Sequence, residues 1–126
     1  MLDGIPRSMP AMLMAQRIGE KVSRVGFDWE TPAQVREKVL EELDEFASAE
    51  RDKSGDKKLE EEFGDFLFAI AQLGRKLGIN CEEALSQACT KFKSRFHKME
   101  LKSETPLKEL SMDQLEELWQ AVKKCN

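Results

Sequence analysis

The chain has 126 residues, with 24 acidic and 20 basic side chains and a net charge of −4. This length suits one domain, and a chain this small often completes its core by oligomerising. The excess of acidic residues argues against a general nucleic-acid binder, which carries a basic stripe. An acidic protein can bind a triphosphate only if a metal cation lies between the two negative charges. Three cysteines without a CxxC pair, together with one histidine, are typical neither of a disulfide framework nor of a zinc site. We therefore expect reduced thiols, a cytoplasmic location and, without an apolar run near the about 20 residues of a membrane span, no membrane insertion.

Hydrophobic periodicity and capping signals predict an all-α protein of five helices, with no strand. The predicted helices cover residues 10–25, 32–50, 57–77, 80–102 and 112–124. Their starts carry capping residues, and two of them complete a capping box with a glutamine three residues on. The predicted caps are Ser8, Thr31 (followed by Pro32 and Gln34), Asn80 (with Glu83) and Ser111 (with Gln114). Gly26 and Gly78 follow the ends of the first and third helices.

The second predicted helix carries an acidic pair beside its apolar stripe. At about 100° per residue, the side chains of Val35, Val39, Leu43 and Phe46 form that stripe. Glu42 falls beside the stripe, and Glu45 is its neighbour three residues on, whereas Glu41 faces elsewhere. A carboxylate beside a packing face is costly unless a partner such as a metal ion compensates its charge.

The third predicted helix repeats this arrangement. Its predicted buried stripe consists of Leu59, Phe63, Phe66, Ile70, Leu73 and Leu77. Glu62 flanks the stripe and Asp65 stands beside Glu62. If the two helices pack antiparallel, as their short connection suggests, the four carboxylates converge. Magnesium prefers such oxygen ligands and shares them with phosphates and water. The alternative is a solvated acidic surface, which is common in a protein with 35% charged residues.

Several segments resemble the MazG-type nucleotide pyrophosphohydrolases. Glu41–Glu45 followed by Glu62–Asp65 is similar to the E-E-x-x-E…E-x-x-D signature of that family. The resemblance continues in order along nearly the whole chain. The further matching segments are Arg24–Trp29, Leu59–Ala69, the K-F-x-x-R-F segment Lys91–Phe96 and the closing Leu118–Lys123. The resemblance implies a single domain over residues 1–126 with a four-helix-bundle-like fold that dimerises through the bundle.

The resemblance also implies an activity and a set of site residues. The family hydrolyses nucleoside triphosphates to the monophosphate and pyrophosphate with magnesium, or with manganese in its place. By this resemblance Glu42, Glu45, Glu62 and Asp65 are the metal ligands and catalytic carboxylates, the same four that the helical positions select. The substrate residues that it implies are Lys58, Lys91, Arg95 and Lys123 for phosphates and Trp119 for the base. For Trp119, packing with Leu115, Leu118 and Val122 is an alternative role.

The chain departs from the family pattern at Cys89, where members often carry an asparagine two residues before the lysine of K-F-x-x-R-F. Its opening, Leu2–Arg7, resembles the segment that enters the second domain of longer members, so we expect either a stand-alone form or part of a longer protein. Two other functions remain open at this point. One is a related all-α enzyme acting on dUTP or phosphoribosyl-ATP, and the other is a non-catalytic helical interaction module.

Overall fold

The computed structural model describes residues 1–125 of the chain. Within that range it contains five α-helices: α1 (Ala11–Ser23), α2 (Pro32–Arg51), α3 (Asp56–Lys76), α4 (Cys81–Lys102) and α5 (Met112–Lys124). A short 3-10 helix at Leu107–Glu109, which was not predicted, lies between Pro106 and α5. No strand occurs in residues 1–125, so the prediction of an all-α fold is confirmed.

Three of the four predicted caps are present, because each depends only on neighbouring residues. The Thr31 hydroxyl accepts a hydrogen bond from the Gln34 backbone N–H at 3.3 Å, and the Gln34 side chain accepts one from the Thr31 N–H at 3.3 Å. Ser111 and Gln114 form the same reciprocal pair at 3.2 and 2.8 Å. At the start of α4, the Asn80 side chain accepts from the backbone N–H three residues on. These contacts satisfy N–H groups that the first turn of a helix leaves without partners.

The cap predicted at Ser8 is wrong. Because α1 begins at Ala11, the cap position falls on Pro10, and no side chain caps the helix there. The helix ends were better predicted, since Gly26 and Gly78 both adopt positive φ, at 87° and 74°. Glycine reaches this left-handed conformation without the steric cost that a Cβ would impose.

The chain divides into two compact units, residues 1–84 and 85–126. In the first unit α2 and α1 both pack against α3. The Phe46 and Phe63 rings lie 5.2 Å apart, and Glu42 lies beside Asp65. Residue numbers therefore decrease along α2 in the direction in which they increase along α3. The two helices are therefore antiparallel. The second unit contains most of α4 and all of α5. A single domain over residues 1–126 stays a prediction.

The buried stripe predicted for α3 is wrong in part. Phe63 and Leu77 are 44% and 50% exposed, and Leu43 on α2 is 42% exposed. Small and polar side chains occupy the buried positions of α3 instead, namely Glu62, Ala69, Ala71 and Gln72. Small residues let helix backbones approach closely, which leaves the larger apolar side chains at the edges of the contact. The periodicity identified the side of α3 that packs against the other helices, but it did not identify the residues at the centre of that contact.

Gln72 joins α1 to α3 through a buried polar contact. Its side chain is 1% exposed and donates a 2.7 Å hydrogen bond to the Ala15 carbonyl, while it accepts one from Arg75 Nε at 2.8 Å. Gly19 on α1 lies directly over this amide, and a Cβ there would collide with the Gln72 side chain. The glycine is therefore required by the close approach of the two helices.

A second glutamine, Gln16, fixes the turn between α3 and α4. Its side-chain amide donates to the Ile79 carbonyl and accepts from the Cys81 N–H, both at 3.0 Å. The Cys81 thiol is buried against Gly74 and lies 3.4 Å from the Ala71 carbonyl oxygen. Burial raises the pKa of this thiol, because an apolar surrounding disfavours the thiolate.

Candidate active site

Three of the four predicted metal ligands meet in the first unit. One carboxylate oxygen each from Glu42, Glu62 and Asp65 lies within 4.8 Å of the other two. Glu42 comes from α2 and the other two come from α3, and the antiparallel packing brings them together. Three like charges at this separation repel one another unless cations lie between them. The donor set is composed of carboxylate oxygens, which suits a hard divalent cation such as magnesium.

Glu45 lies outside this group of three. It is exposed, and it lines an adjoining cleft of about 380 Å³ together with Lys58 and Glu62. Asp44, Ser48, Ala49, Asp52 and Ser54 complete the lining. Glu45 therefore borders the carboxylate cluster, one helical turn beyond Glu42, and its place among the ligands stays a prediction.

Each of the two cluster glutamates carries a lysine partner from the preceding turn of its own helix. Lys58 Nζ lies 2.8 Å from a Glu62 oxygen, and Lys38 Nζ lies 3.0 Å from a Glu42 oxygen. These carboxylates raise the pKa of both lysines, with the hydrogen bond to the glutamate as the largest cause. Lys58 was predicted from the sequence, whereas Lys38 was not. The same K-x-x-x-E spacing on both helices was the available signal.

The Gly26–Trp29 turn is held to the end of α3 by ion pairs. The Arg75 guanidinium donates to both Asp28 oxygens, and Lys76 Nζ lies 3.2 Å from one of them. Lys76 also donates to the Trp29 carbonyl at 2.7 Å. The Arg75 hydrogen bond is the main cause that lowers the pKa of Asp28 from 3.8 to about 2. The turn is thereby fixed ahead of α2, the helix that carries Glu42.

Within the second unit, Trp119 lies among apolar side chains. Its ring centroid is 5.2 Å from that of Phe92, and the Arg95 guanidinium carbon lies 5.9 Å from it. The tryptophan lines an apolar cleft of about 350 Å³ with Phe92, Phe96, Met99, Met112, Leu115 and Glu116. Trp119 is half-buried against Phe92 and borders a cleft, so both of its predicted roles, contact with the base and packing, stay predictions.

The three predicted cations of the second unit differ in their surroundings. Lys91 and Lys123 are exposed. Arg95 lies under partial cover against Trp119, and its buried Nε atom has no hydrogen-bond partner among the described residues. A guanidinium with an unused buried N–H is suited to donate a hydrogen bond to an anion.

The chain is all-helical and brings carboxylates from two antiparallel helices together, which places it among candidate metal-binding helical proteins. Residues 30–99 match the MazG nucleotide pyrophosphohydrolase domain, and the chain belongs to this family. The resemblance found in the sequence is thereby confirmed. None of the helices described in residues 1–125 has the length and apolar character needed to cross a membrane.

Two relatives are similar over most of the chain. A protein of Escherichia coli (strain K12) named nucleoside triphosphate pyrophosphohydrolase is 43% identical over 127 residues, covering 98% of this chain and 48% of the relative. A protein of Thermotoga maritima named nucleoside triphosphate pyrophosphohydrolase/pyrophosphatase MazG is 46% identical over 118 residues, covering 91% of this chain and 45% of the relative. The chain spans about half the length of these curated relatives.

Proposed function

We propose that the protein hydrolyses nucleoside triphosphates to a nucleoside monophosphate and pyrophosphate, in the clearance of unwanted nucleotides. The observation that carries this proposal is the convergence of Glu42, Glu62 and Asp65 within 4.8 Å. The names of the two relatives, both nucleoside triphosphate pyrophosphohydrolases, support the substrate class. Membership of the family makes a shared reaction the most direct interpretation of the cluster.

Glu42, Glu62 and Asp65 are proposed to hold magnesium, with Glu45 completing the ligand set or binding through water. Bound magnesium would neutralise phosphate oxygens and lower the pKa of a coordinated water. The cluster fits this ion because its donors are carboxylate oxygens and one of them, Glu62, is only 6% exposed. A nearly buried glutamate needs a positive charge beside it, so its position is expected at a cation site rather than on a solvated acidic surface.

The substrate roles of the basic residues are proposed from the family resemblance. Lys91 and Arg95 lie one helical turn apart on α4 and would stabilise negative charge on the departing pyrophosphate. Lys58 and Lys123 would contact phosphates. The buried, unpartnered Nε of Arg95 supports an anion-binding role for this side chain. Trp119 would face the base from the edge of its apolar cleft.

Two other functions give different products. A related enzyme specific for dUTP or phosphoribosyl-ATP would act on one member of a nucleotide panel. A non-catalytic helical module would act on none, and its carboxylates would be surface groups. The depth of Glu62 speaks for the catalytic alternative.

The experiment that tests the proposal is product analysis after incubation of the protein with each nucleoside triphosphate and magnesium. We expect monophosphate and pyrophosphate in equal amounts, and no product in the presence of a chelator. The matched controls are Glu62→Gln, which removes a proposed ligand, and Glu60→Gln, which removes an exposed charge from the same helix. Release of diphosphate and orthophosphate, or equal activity of both variants, would contradict the proposal.

A homodimer and a cytoplasmic location are also proposed. Exposed Phe63, Leu67 and Phe68 on α3 support an apolar surface that a second copy of the chain would cover. Three free thiols support a reducing compartment.

A further inference from the structure

The lysine partners of the cluster glutamates differ in one respect. Lys38 Nζ lies between two carboxylates, 3.0 Å from Glu42 and 3.4 Å from Glu41. Among the described residues, Lys58 forms a single ion pair, which is with Glu62. Lys38 therefore has a second acceptor within reach, one residue away from the glutamate that belongs to the cluster.

The two acceptors of Lys38 lie in different surroundings. The Glu42 side chain is 13% exposed, whereas that of Glu41 is 59% exposed. The i,i+3 and i,i+4 positions are both neighbours on a helix, so the flexible lysine stem reaches either carboxylate without a change in the backbone. Glu41 faces away from the cluster, and it is the acceptor that a cation bound among Glu42, Glu62 and Asp65 would leave available.

An ammonium group and a divalent cation use the same oxygen lone pairs of Glu42. The Lys38 ion pair stabilises a Glu42 carboxylate that has two other carboxylates within 4.8 Å. When a divalent cation takes Glu42, that cation compensates the same charge more strongly, and the ammonium becomes a repelled neighbour. Binding of the cation and the Lys38–Glu42 contact are therefore in competition.

We propose that Lys38 is a resident counter-ion of the cluster, which pairs with Glu42 in the metal-free protein and moves to Glu41 when a divalent cation binds. The inference rests on the proposed metal centre. It assigns Lys38 a role in setting metal affinity: the lysine stabilises the empty cluster and weakens its affinity for the cation. A side chain that merely supports Glu42 would have the opposite effect, because its loss would leave the ligand less well positioned.

Binding of Mn²⁺ to the full chain in the absence of nucleotide, measured by electron paramagnetic resonance, tests this role. The variant is Lys38→Met, and the matched control is Arg36→Met, which removes one exposed positive charge from the same helix. We expect Lys38→Met to bind Mn²⁺ about two- to fivefold more tightly than Arg36→Met, the range for a partly exposed ion pair. Equal or weaker binding would overturn the proposal. Lys38→Gln repeats the test with a second neutral side chain.

Thermal stability gives a second measurement that does not depend on Mn²⁺ spectra. A partner that the cation displaces must stabilise the metal-free protein more than the loaded one. The rise in melting temperature on adding Mn²⁺ should therefore be larger for Lys38→Met than for Arg36→Met. In addition, Glu41→Gln should weaken Mn²⁺ binding more in the wild-type background than in the Lys38→Met background. Identical losses in the two backgrounds would exclude a move of Lys38 to Glu41.

The outcomes separate this inference from the proposed function. Mn²⁺ binding that Glu62→Gln abolishes, without any nucleotide hydrolysis, would end the proposed function and leave the role of Lys38 standing. Hydrolysis with indistinguishable Mn²⁺ affinities for Lys38→Met and Arg36→Met would overturn the role of Lys38 alone. Failure of the wild-type protein to bind Mn²⁺ without nucleotide would also overturn the role of Lys38, whereas the proposed function is decided by the product analysis.

Discussion

Arg75 donates two hydrogen bonds to Asp28, 47 residues away in the sequence, with Nη2 at 2.6 Å from Oδ1 and Nη1 at 3.2 Å from Oδ2. The side chains are 10% and 17% exposed, so solvent screens this pair only in part. A two-pronged contact of a guanidinium with a carboxylate fixes both distance and orientation. The turn before α2 is therefore held at the end of α3 by this pair and by Lys76.

Asp28→Asn should destabilise the fold in a pH-dependent way. The folded-state pKa of about 2 lies below the ordinary 3.8, so the ionised group contributes stability above about pH 4. That contribution is lost as the pH falls towards 2. At pH 7 the variant should lose about 2 kcal/mol in the free energy of unfolding, measured with urea, and the difference should narrow in acid. Asp3→Asn, at an exposed position, is the control. A loss that is constant from pH 7 to 2 would contradict the assignment.

Two glycines on helices should respond to alanine with opposite signs. A Cβ at Gly19 would collide with the buried Gln72 amide, so Gly19→Ala should reduce stability by about 1–3 kcal/mol. No atom lies within 4 Å of a Cβ built at Gly64, so Gly64→Ala should gain about 0.5–1 kcal/mol from helix propensity. Urea unfolding of both variants measures the difference, and a Gly19→Ala variant at least as stable as the wild type would refute the close approach of α1 to α3.

The cluster carboxylates should be essential for turnover and dispensable for folding. Glu42→Gln, Glu62→Gln and Asp65→Asn should each lower kcat by at least about 100-fold, because each removes charge from the proposed cation site. Their melting temperatures without metal should not fall as far, since each change also relieves repulsion within the cluster. Glu45→Gln should behave in the same way if this residue completes the ligand set. Full activity in any two of the four variants would eliminate the assignment.

The basic side chains of α4 should separate binding from chemistry. Lys91→Ala and Arg95→Ala should raise KM and lower kcat, because charge on the pyrophosphate builds up in the transition state. Lys93→Ala, exposed on the same helix, is the control and should change neither constant appreciably. Arg95→Lys retains the charge and loses the planar fork, so it should remain impaired. Wild-type kinetics for Arg95→Lys would mean that the shape of the guanidinium is irrelevant.

The exposed apolar residues of α3 should be covered by a second copy of the chain. Light scattering at tens of micromolar should give the mass of a dimer, twice 14.4 kDa. Phe68→Glu should dissociate that dimer, because phenylalanine at this position is 41% exposed in the single chain and a charge would be buried on association. Phe27→Glu alters a more exposed aromatic outside α3 and serves as the control. A monomer for the wild-type chain would contradict the proposed dimer.

The sequence predicted what is decided locally and missed what depends on distant partners. The caps at Thr31 and Ser111 are contacts between residues three apart, and helical periodicity placed Glu42 beside its packing face. The contact of Asp28 with Arg75 joins segments that only the folded chain brings together. Large apolar residues also carried more weight in the predicted stripe than the small ones that allow close packing. The contact of Lys38 with Glu42 could have been predicted, because the two residues are four apart on one helix.

The packing of Cys81 against Gly74 provides a built-in reporter of motion at the corner between α3 and α4. A thiol reagent modifies exposed Cys89 and Cys125 directly, but it reaches buried Cys81 only when this corner opens. In a chain with serine at positions 89 and 125, the labelling rate at a fixed reagent concentration would follow the fraction of time for which the corner is open under native conditions. The hydrogen bonds of Gln16 to both sides of the turn oppose this opening, so local opening of the helix junction becomes measurable as a chemical rate, without a spectroscopic label.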